Sequence, residues 1–346
     1  MACSGKHFPP IVLLAIFPAV SFFFAVSLSW GPAGNVVAFG QSPADIGPPA
    51  TRPTPPRPPD AVGIRKLIDD LDAPQFDRRD VAYRRLLELG ESAIPQLTEA
   101  LKSPSAEVRY RARRVMTLTH EQGLVRAFEQ LAAADPDRID VERGMWLIAR
   151  ILDPACSLEE IQKSLDELAD RVRRQLEPTS PASDAEPQQA IAALQQVLFG
   201  DFGLRGNDAD YTNPDNSSIA AVLRSRKGLP ITLSQVVIAV ARRVGIPIVG
   251  LPTPGRYIVK YDGSRAPRRA VPDIYLNPYE GGRILDQEAW DRSFPGLDPS
   301  NVKAGTSHEM LQRMMTNLES HLFATGRHEQ GELANRLRLI LAAKSE

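Results

Sequence analysis

Residues 216–247 read NSSIAAVLRSRKGLPITLSQVVIAVARRVGIP. Ile219, Val222 and Leu223 open a short helix, and Gly228 and Pro230 break it. Val236 to Val244 then form a second, apolar helix that Gly245 and Pro247 stop. A helix apolar on most of its circumference belongs inside a core. Ile248–Leu251, Tyr257–Tyr261 and Ile274–Leu276 follow as short runs rich in β-branched and aromatic residues, separated by Gly and Pro. Gly281-Gly282 makes a tight turn into Arg283-Ile284-Leu285. Upstream, Tyr211 to Asn216 is rich in Asn, Asp and Pro, which favour turns. The pattern predicts a buried central helix backed by a small antiparallel sheet.

Helices flank this core. Downstream, Leu311, Met314, Met315, Leu318 and Leu322 lie on one helical stripe, and Leu333, Leu337 and Leu341 mark its partner. Upstream, Ile64, Leu67, Ile68 and Leu71 follow the i, i+3, i+4, i+7 pattern. Three further short helices carry Val81–Leu89, Ile94–Leu101 and Val108–Met116. Ala82 in DRRDVAYRRLL and Ala112 in AEVRYRARRVM are equivalent and thirty residues apart, a spacing in the range of solenoid repeats. AIPQLTEALKSPSAEVRYRARRVM resembles a HEAT repeat, with proline early in its first helix and a Val-Arg pair opening the second. Fewer than two units are visible, so a small helical cap is expected, not a long solenoid. Arg78, Arg79, Arg84, Arg85, Arg109, Arg111, Arg113 and Arg114 form either a basic face or, as commonly on helices, a solvated surface paired with Glu88, Glu91, Glu99 and Glu107. The expected class is mostly α with a small antiparallel sheet, α+β.

The first sixty residues differ in character. Ile11 to Trp30 is an uncharged apolar run preceded by Lys6 and His7. Its length suits a bilayer span or the apolar region of a secretory signal, and Val36-Val37-Ala38 offers a cleavage site. Positive charge at the extreme N-terminus places the body outside the cytoplasm, periplasmic, secreted or tethered through residues 11–30. Eight prolines between Pro43 and Pro59 predict an extended spacer. The expected organisation is 1–40 signal or anchor, 41–61 proline-rich linker, 62–120 HEAT-like helices, 140–300 core, and 305–346 C-terminal helices.

Composition narrows the chemistry. A formal net charge of −1 gives no electrostatic case for nucleic acid. Cys3 precedes the apolar run, which leaves Cys156 alone, without a disulfide partner or a cysteine pair for zinc. His120, His308, His321 and His328 fall outside the helix–sheet core, and none shows His-Glu-x-x-His spacing. No cofactor and no metal are expected.

RGMWLIARILDP, LQQVLFGDFGLRGNDADYTNPDNSSIAAVLRSRKGLPITLSQVVIAVARRVGIPIVGLPTPGRYIVKY, YLNPYEGGRIL and MLQRMMTNLESHLFATGRHEQGELANRLRLIL together resemble the SirB-type transglutaminase-like family of bacterial proteins. The resemblance implies a transglutaminase-like core followed by tetratricopeptide-like helices. It also implies where catalytic residues would stand. The superfamily's Cys nucleophile, its His and its Asp fall on Pro230, Arg256 and Asn277. Proline has no nucleophile, arginine stays protonated at physiological pH, and an amide does not stabilise an imidazolium as a carboxylate does. Thr232 and Ser234 start the central helix near the nucleophile position, where capping is the commoner use of a hydroxyl.

The resemblance thus implies a non-catalytic interaction or scaffold protein, with no catalytic residue assigned and an unidentified protein or peptide as partner. A hydrolase or acyltransferase of the thiol-protease type with non-standard residues is one alternative. A peptide- or carboxylate-binding module in the former cleft is another. Tyr211, Pro230, Arg256, Asp273 and Asn277 would line that cleft, with Arg256 buried and holding a carboxylate or paired with Asp273 or a nearby acid.

Overall fold

A computed structural model describes residues 61–135, 139–176, 186–266 and 270–343. The apolar run 11–30, the proline-rich stretch and the cleavage site lie outside the described residues. Among the described residues no helix is long and apolar enough to cross a membrane.

The first helices are α1 (Ala61–Asp69), α2 (Phe76–Leu89), α3 (Ile94–Ala100) and α4 (Ala106–Ala133). Their apolar stripes close on a small core of Ile64, Ile68, Leu71, Leu86, Leu97, Val108 and Val115. Ala82 and Ala112, the equivalent positions, are both buried there on packed helices. Four of the eight arginines are spent on acids: Arg85 pairs with Glu88 and Arg111 with Glu107, while Arg84 takes Asp80 and Arg78 takes Asp70; Arg79 and Arg109 donate to backbone carbonyls instead. Such exposed pairs contribute little each.

Helix α4 does not stop near residue 120. Ser105 caps its start, accepting from the Val108 amide at 3.2 Å, and it runs unbroken for 28 residues. Its first half serves the small core. Leu124, Phe128, Leu131 and Ala132 in its second half enter a second, much larger core. One rigid element therefore joins the N-terminal helices to the rest.

The larger core is built from α5 (Val141–Leu152), α6 (Leu158–Leu176), α7 (Pro187–Leu194), α8 (Ile219–Ser225) and α9 (Pro230–Val244). Helix α9 is the central helix. Pro230 takes its first turn, where a missing N–H costs nothing, and Gly245 ends it at φ +84° in the left-handed conformation. Ile231, Leu233, Val236, Val237, Val240, Ala241 and Val244 are all buried. So are the polar residues Thr232, Ser234 and Gln235, because α6 packs on one side of α9 and the sheet on the other.

A two-residue parallel pair, β1 (Arg205–Gly206) and β2 (Lys227–Gly228), lies before the main sheet. The sheet holds β3 (Ile248–Thr253), β4 (Arg256–Tyr261), β5 (Ile274–Asn277) and β6 (Arg283–Leu285), antiparallel and in that spatial order. The register pairs Thr253 with Arg256 at the first hairpin, Tyr261 with Ile274, and Asn277 with Arg283. Alternation sends Tyr257, Val259 and Tyr261 into the large core, while Ile258 faces the other way. There Leu251, Ile258 and Leu285 pack under Trp290 and Phe294 of and beside α10 (Gln287–Ser293). Helices α11 (Ser307–Ala324) and α12 (His328–Ala342) form an antiparallel pair, and α12 packs back onto α4. A capping box between Thr306 and Glu309 starts α11. Mostly helical with one small antiparallel sheet, the fold has the expected class.

Candidate functional site

Three of the predicted cleft positions stand where the elements converge. Pro230 is the first residue of α9, Arg256 the first of β4, and Asn277 the last of β5. Helix α9 packs on β4 and on the turn that follows β5. Ser234 Oγ donates to the Tyr257 carbonyl at 3.3 Å, which ties the first turns of the helix to the start of the strand.

Arg256 is not buried: its side chain is 44% exposed, and its Nη1 donates to Glu280 Oε1 at 2.8 Å. The other Glu280 oxygen takes Arg283 at 2.7 Å. Asp273 is not Arg256's partner and not part of the cleft. It lies four residues before Asn277, at the far end of β5, where it holds Lys260 at 2.6 Å and the Gly263 amide at 2.8 Å. Burial alone would raise the Asp273 carboxyl, but Lys260 and the Gly263 N–H outweigh it and hold it below the usual range. The register explains the separation. Asp273 precedes the Tyr261–Ile274 pair, whereas Arg256 opens the strand five residues before Tyr261, roughly 17 Å away along the strand.

Asn277 is buried, and its side-chain oxygen accepts from the Tyr279 amide at 3.2 Å, so it shapes the turn into β6. Tyr211 is exposed and meets Tyr279 edge-on at 6.2 Å and His321 at 5.8 Å between centroids. Tyr279 in turn donates to Asp208 at 2.8 Å. Burial, then Asp208, raises the Tyr279 phenol, which stays protonated.

Two residues on α11 join this site without having been expected there. Arg313 donates to the Arg256 carbonyl at 2.9 Å and lies over the Tyr257 ring at 5.7 Å. His321 is buried against Tyr211, and desolvation lowers its pKa. The available signal for His321 was its place three residues after Leu318 on the apolar stripe of α11.

The hydroxyls of the central helix do not cap it. Leu229 precedes Pro230 without a side-chain cap, and Thr232 and Ser234 are fully buried. Ser234 donates to a backbone carbonyl, which takes up no proton and so does not activate the hydroxyl. Cys156 is buried among the apolar residues of the large core. Burial pushes its thiol up, the opposite of what a nucleophile requires. Among the described residues no group of three or more His, Cys, Asp or Glu is placed to hold a metal ion.

Residues 159–317 match the family model described as the transglutaminase-like superfamily. A "UPF0162 protein" of Xylella fastidiosa strain Temecula1 is 32% identical over 180 residues, 51% of this chain and 59% of the relative. A "UPF0162 protein" of Pseudomonas aeruginosa is 28% identical over 191 residues, 54% of this chain and 65% of that one. Human "F-box only protein 21" is 23% identical over 233 residues, 61% of this chain and 37% of that protein. The chain thus spans less than two thirds of the length of each of these three. No solved structure matches it. What these comparisons give is a region, residues 159–317, similar to the transglutaminase-like superfamily, set between helices that pack on both sides of it.

Proposed function

We propose that this chain is a non-catalytic interaction or scaffold protein acting outside the cytoplasm, its partner a protein or peptide. The carrying observation is the occupation of the convergence point: Pro230, Arg256 and Asn277 stand there, and Arg256 is committed to Glu280. A thiol mechanism needs a thiolate beside an imidazole. The described thiol, Cys156, is buried elsewhere with its pKa raised. The HEAT-like helices before the core and the tetratricopeptide-like pair after it offer surfaces of the kind that bind partners, by analogy of fold. The apolar run at residues 11–30 supports export or tethering.

A carboxylate-binding role for the old cleft has its own support. Arg256, Arg283 and Arg313 gather around the single carboxylate of Glu280 and the Arg256 backbone. A guanidinium fork suits a carboxylate.

Purified protein assayed on amide, ester and amine-transfer substrates tests the central claim. Activity equal to a heat-killed control is expected. Turnover abolished by Ser234→Ala or Cys156→Ala would restore the hydrolase or acyltransferase alternative. In parallel, crosslinked partners from the envelope fraction should be fewer with Arg256→Glu than with the unaltered chain.

A further inference from the structure

Behind the central helix, away from Pro230, lies a cavity of about 200 Å³. Glu142 and Met145 of α5, Gln235, Ile238 and Arg242 of α9, Tyr257 of β4 and Met310 of α11 contribute to its walls. Its far side is the edge of β3, which the segment before α11 covers: the Gly305 amide donates to the Gly250 carbonyl at 3.1 Å.

Three features make this a built site. Gln235 is only 2% exposed, and its Nε2 makes no hydrogen bond of good geometry, only a weak contact with the Tyr257 hydroxyl. Buried amide donors are nearly always satisfied, so this one calls for an acceptor. The Tyr257 hydroxyl reaches the cavity because position 250 carries no side chain. A Cβ at 250 would stand 2.3 Å from that oxygen, and one at 305 would stand 3.5 Å from it. The phenol is pushed up to about 12 by burial, so it remains a donor.

The charged wall is already balanced. Glu142 accepts from Arg242, and from Arg243 at 2.6 and 2.9 Å. Arg243 also takes Asp166 at 2.6 Å. Two guanidinia face two carboxylates, which leaves no net charge to attract an ion. The remaining lining is two methionines and aliphatic carbon, adaptable to a flexible chain, with Thr306 and Ser307 at the start of α11 adding polar surface.

We propose that this cavity binds a small, uncharged, largely aliphatic molecule that presents one carbonyl oxygen to Gln235 Nε2, an acyl amide or ester in class. A cavity of about 150 Å³ holds benzene, so this one takes roughly eight non-hydrogen atoms. Hexanamide has that size and serves as the probe. Tyr257 links the cavity to the cleft in front, since its ring lies under Arg313 and its neighbour is Arg256.

The test follows the methionine methyl resonances of the full chain, labelled with ¹³C at the methionine methyl groups, as hexanamide is added. Met145 and Met310 should shift and saturate at about millimolar concentration, typical of so small a ligand. Met116, in the separate N-terminal core, should not move. Gln235→Leu should raise the half-saturating hexanamide concentration about tenfold, the worth of one buried hydrogen bond, and leave benzene binding unchanged. Should that variant fail to fold, Ala239→Leu fills the cavity from the same helix and should abolish saturation. Shifts that never saturate, that spread equally to Met116, or that persist unchanged in Gln235→Leu overturn the proposal. So does tighter binding of hexanoate or hexylammonium than of hexanamide.

Discussion

Arg256 and Glu280 form an ion pair at 2.8 Å between the first residue of β4 and the turn after β5. The pair is largely solvent-exposed, and exposed pairs contribute about 0–1 kcal/mol. Asn277, beside it, is buried and holds the Tyr279 amide. Arg256→Ala should therefore change the unfolding free energy by less than about 1 kcal/mol, while Asn277→Ala should cost about 1–2 kcal/mol. Urea denaturation of both variants checks this. A larger loss from Arg256→Ala than from Asn277→Ala would show that the ion pair, and not the turn, holds this end of the sheet.

Adjacent glycines separate backbone strain from steric conflict. Gly281 and Gly282 both have positive φ, +67° and +73°. A Cβ on Gly281 meets nothing within 4 Å, whereas one on Gly282 would stand 2.3 Å from the Phe199 ring. Gly281→Ala should cost only the left-handed penalty, about 1 kcal/mol. Gly282→Ala adds a clash with a ring packed against the large core and should cost about 3 kcal/mol in all. Equal melting temperatures for the two variants would contradict the placement of Phe199.

Glu142 predicts an acid limit. Burial alone would raise its carboxyl, but hydrogen bonds and charge from Arg243 and Arg242 hold it below 4.5, its ordinary value. The folded pKa is depressed, so the stabilisation is present above about pH 4.5 and is lost as pH falls through the folded value. Glu142→Gln should lower stability by about 3 kcal/mol at pH 7, because Arg243 is left largely buried without its main partner. The difference from the unaltered chain should shrink below pH 4.5. A difference independent of pH would mean that packing, not charge, explains the loss.

Export is testable without knowing the partner. A reporter active only after translocation, fused after Glu346, should be active, and a cytoplasm-dependent reporter at the same position should be silent. Deleting residues 1–40 should reverse both signals. Activity from the cytoplasmic reporter alone in the full chain would remove the extracytoplasmic assignment.

Local chemistry was legible where one residue type has few uses. Gly245 after an apolar run marked the end of α9, and Gly281-Gly282 marked the turn into β6. Runs rich in β-branched and aromatic residues between Gly and Pro marked the strands, and the spacing of Leu311, Met314, Met315 and Leu318 marked α11.

What the chain pairs with what belonged to the tertiary structure. Arg256 chose Glu280 over Asp273 because register puts Asp273 at the other end of β5, and register depends on turn geometry and on which face is buried. Helix α4 continued past residue 120 because its second half found a second core, a contact that its own periodicity does not announce. Gln235 carries no mark in sequence at all. It sits one residue beyond Ser234 on a helix buried from both sides, and only the packing of α5, α11 and the β3 edge places it in the wall of a cavity with its amide nitrogen lacking a well-formed hydrogen bond. Propensity and patterning are local, so sequence alone determined elements such as α9, α11 and the strands of the sheet, though not the end of α4. Pairings and cavities depend on residues brought together from distant parts of the chain, so only the folded structure determined those.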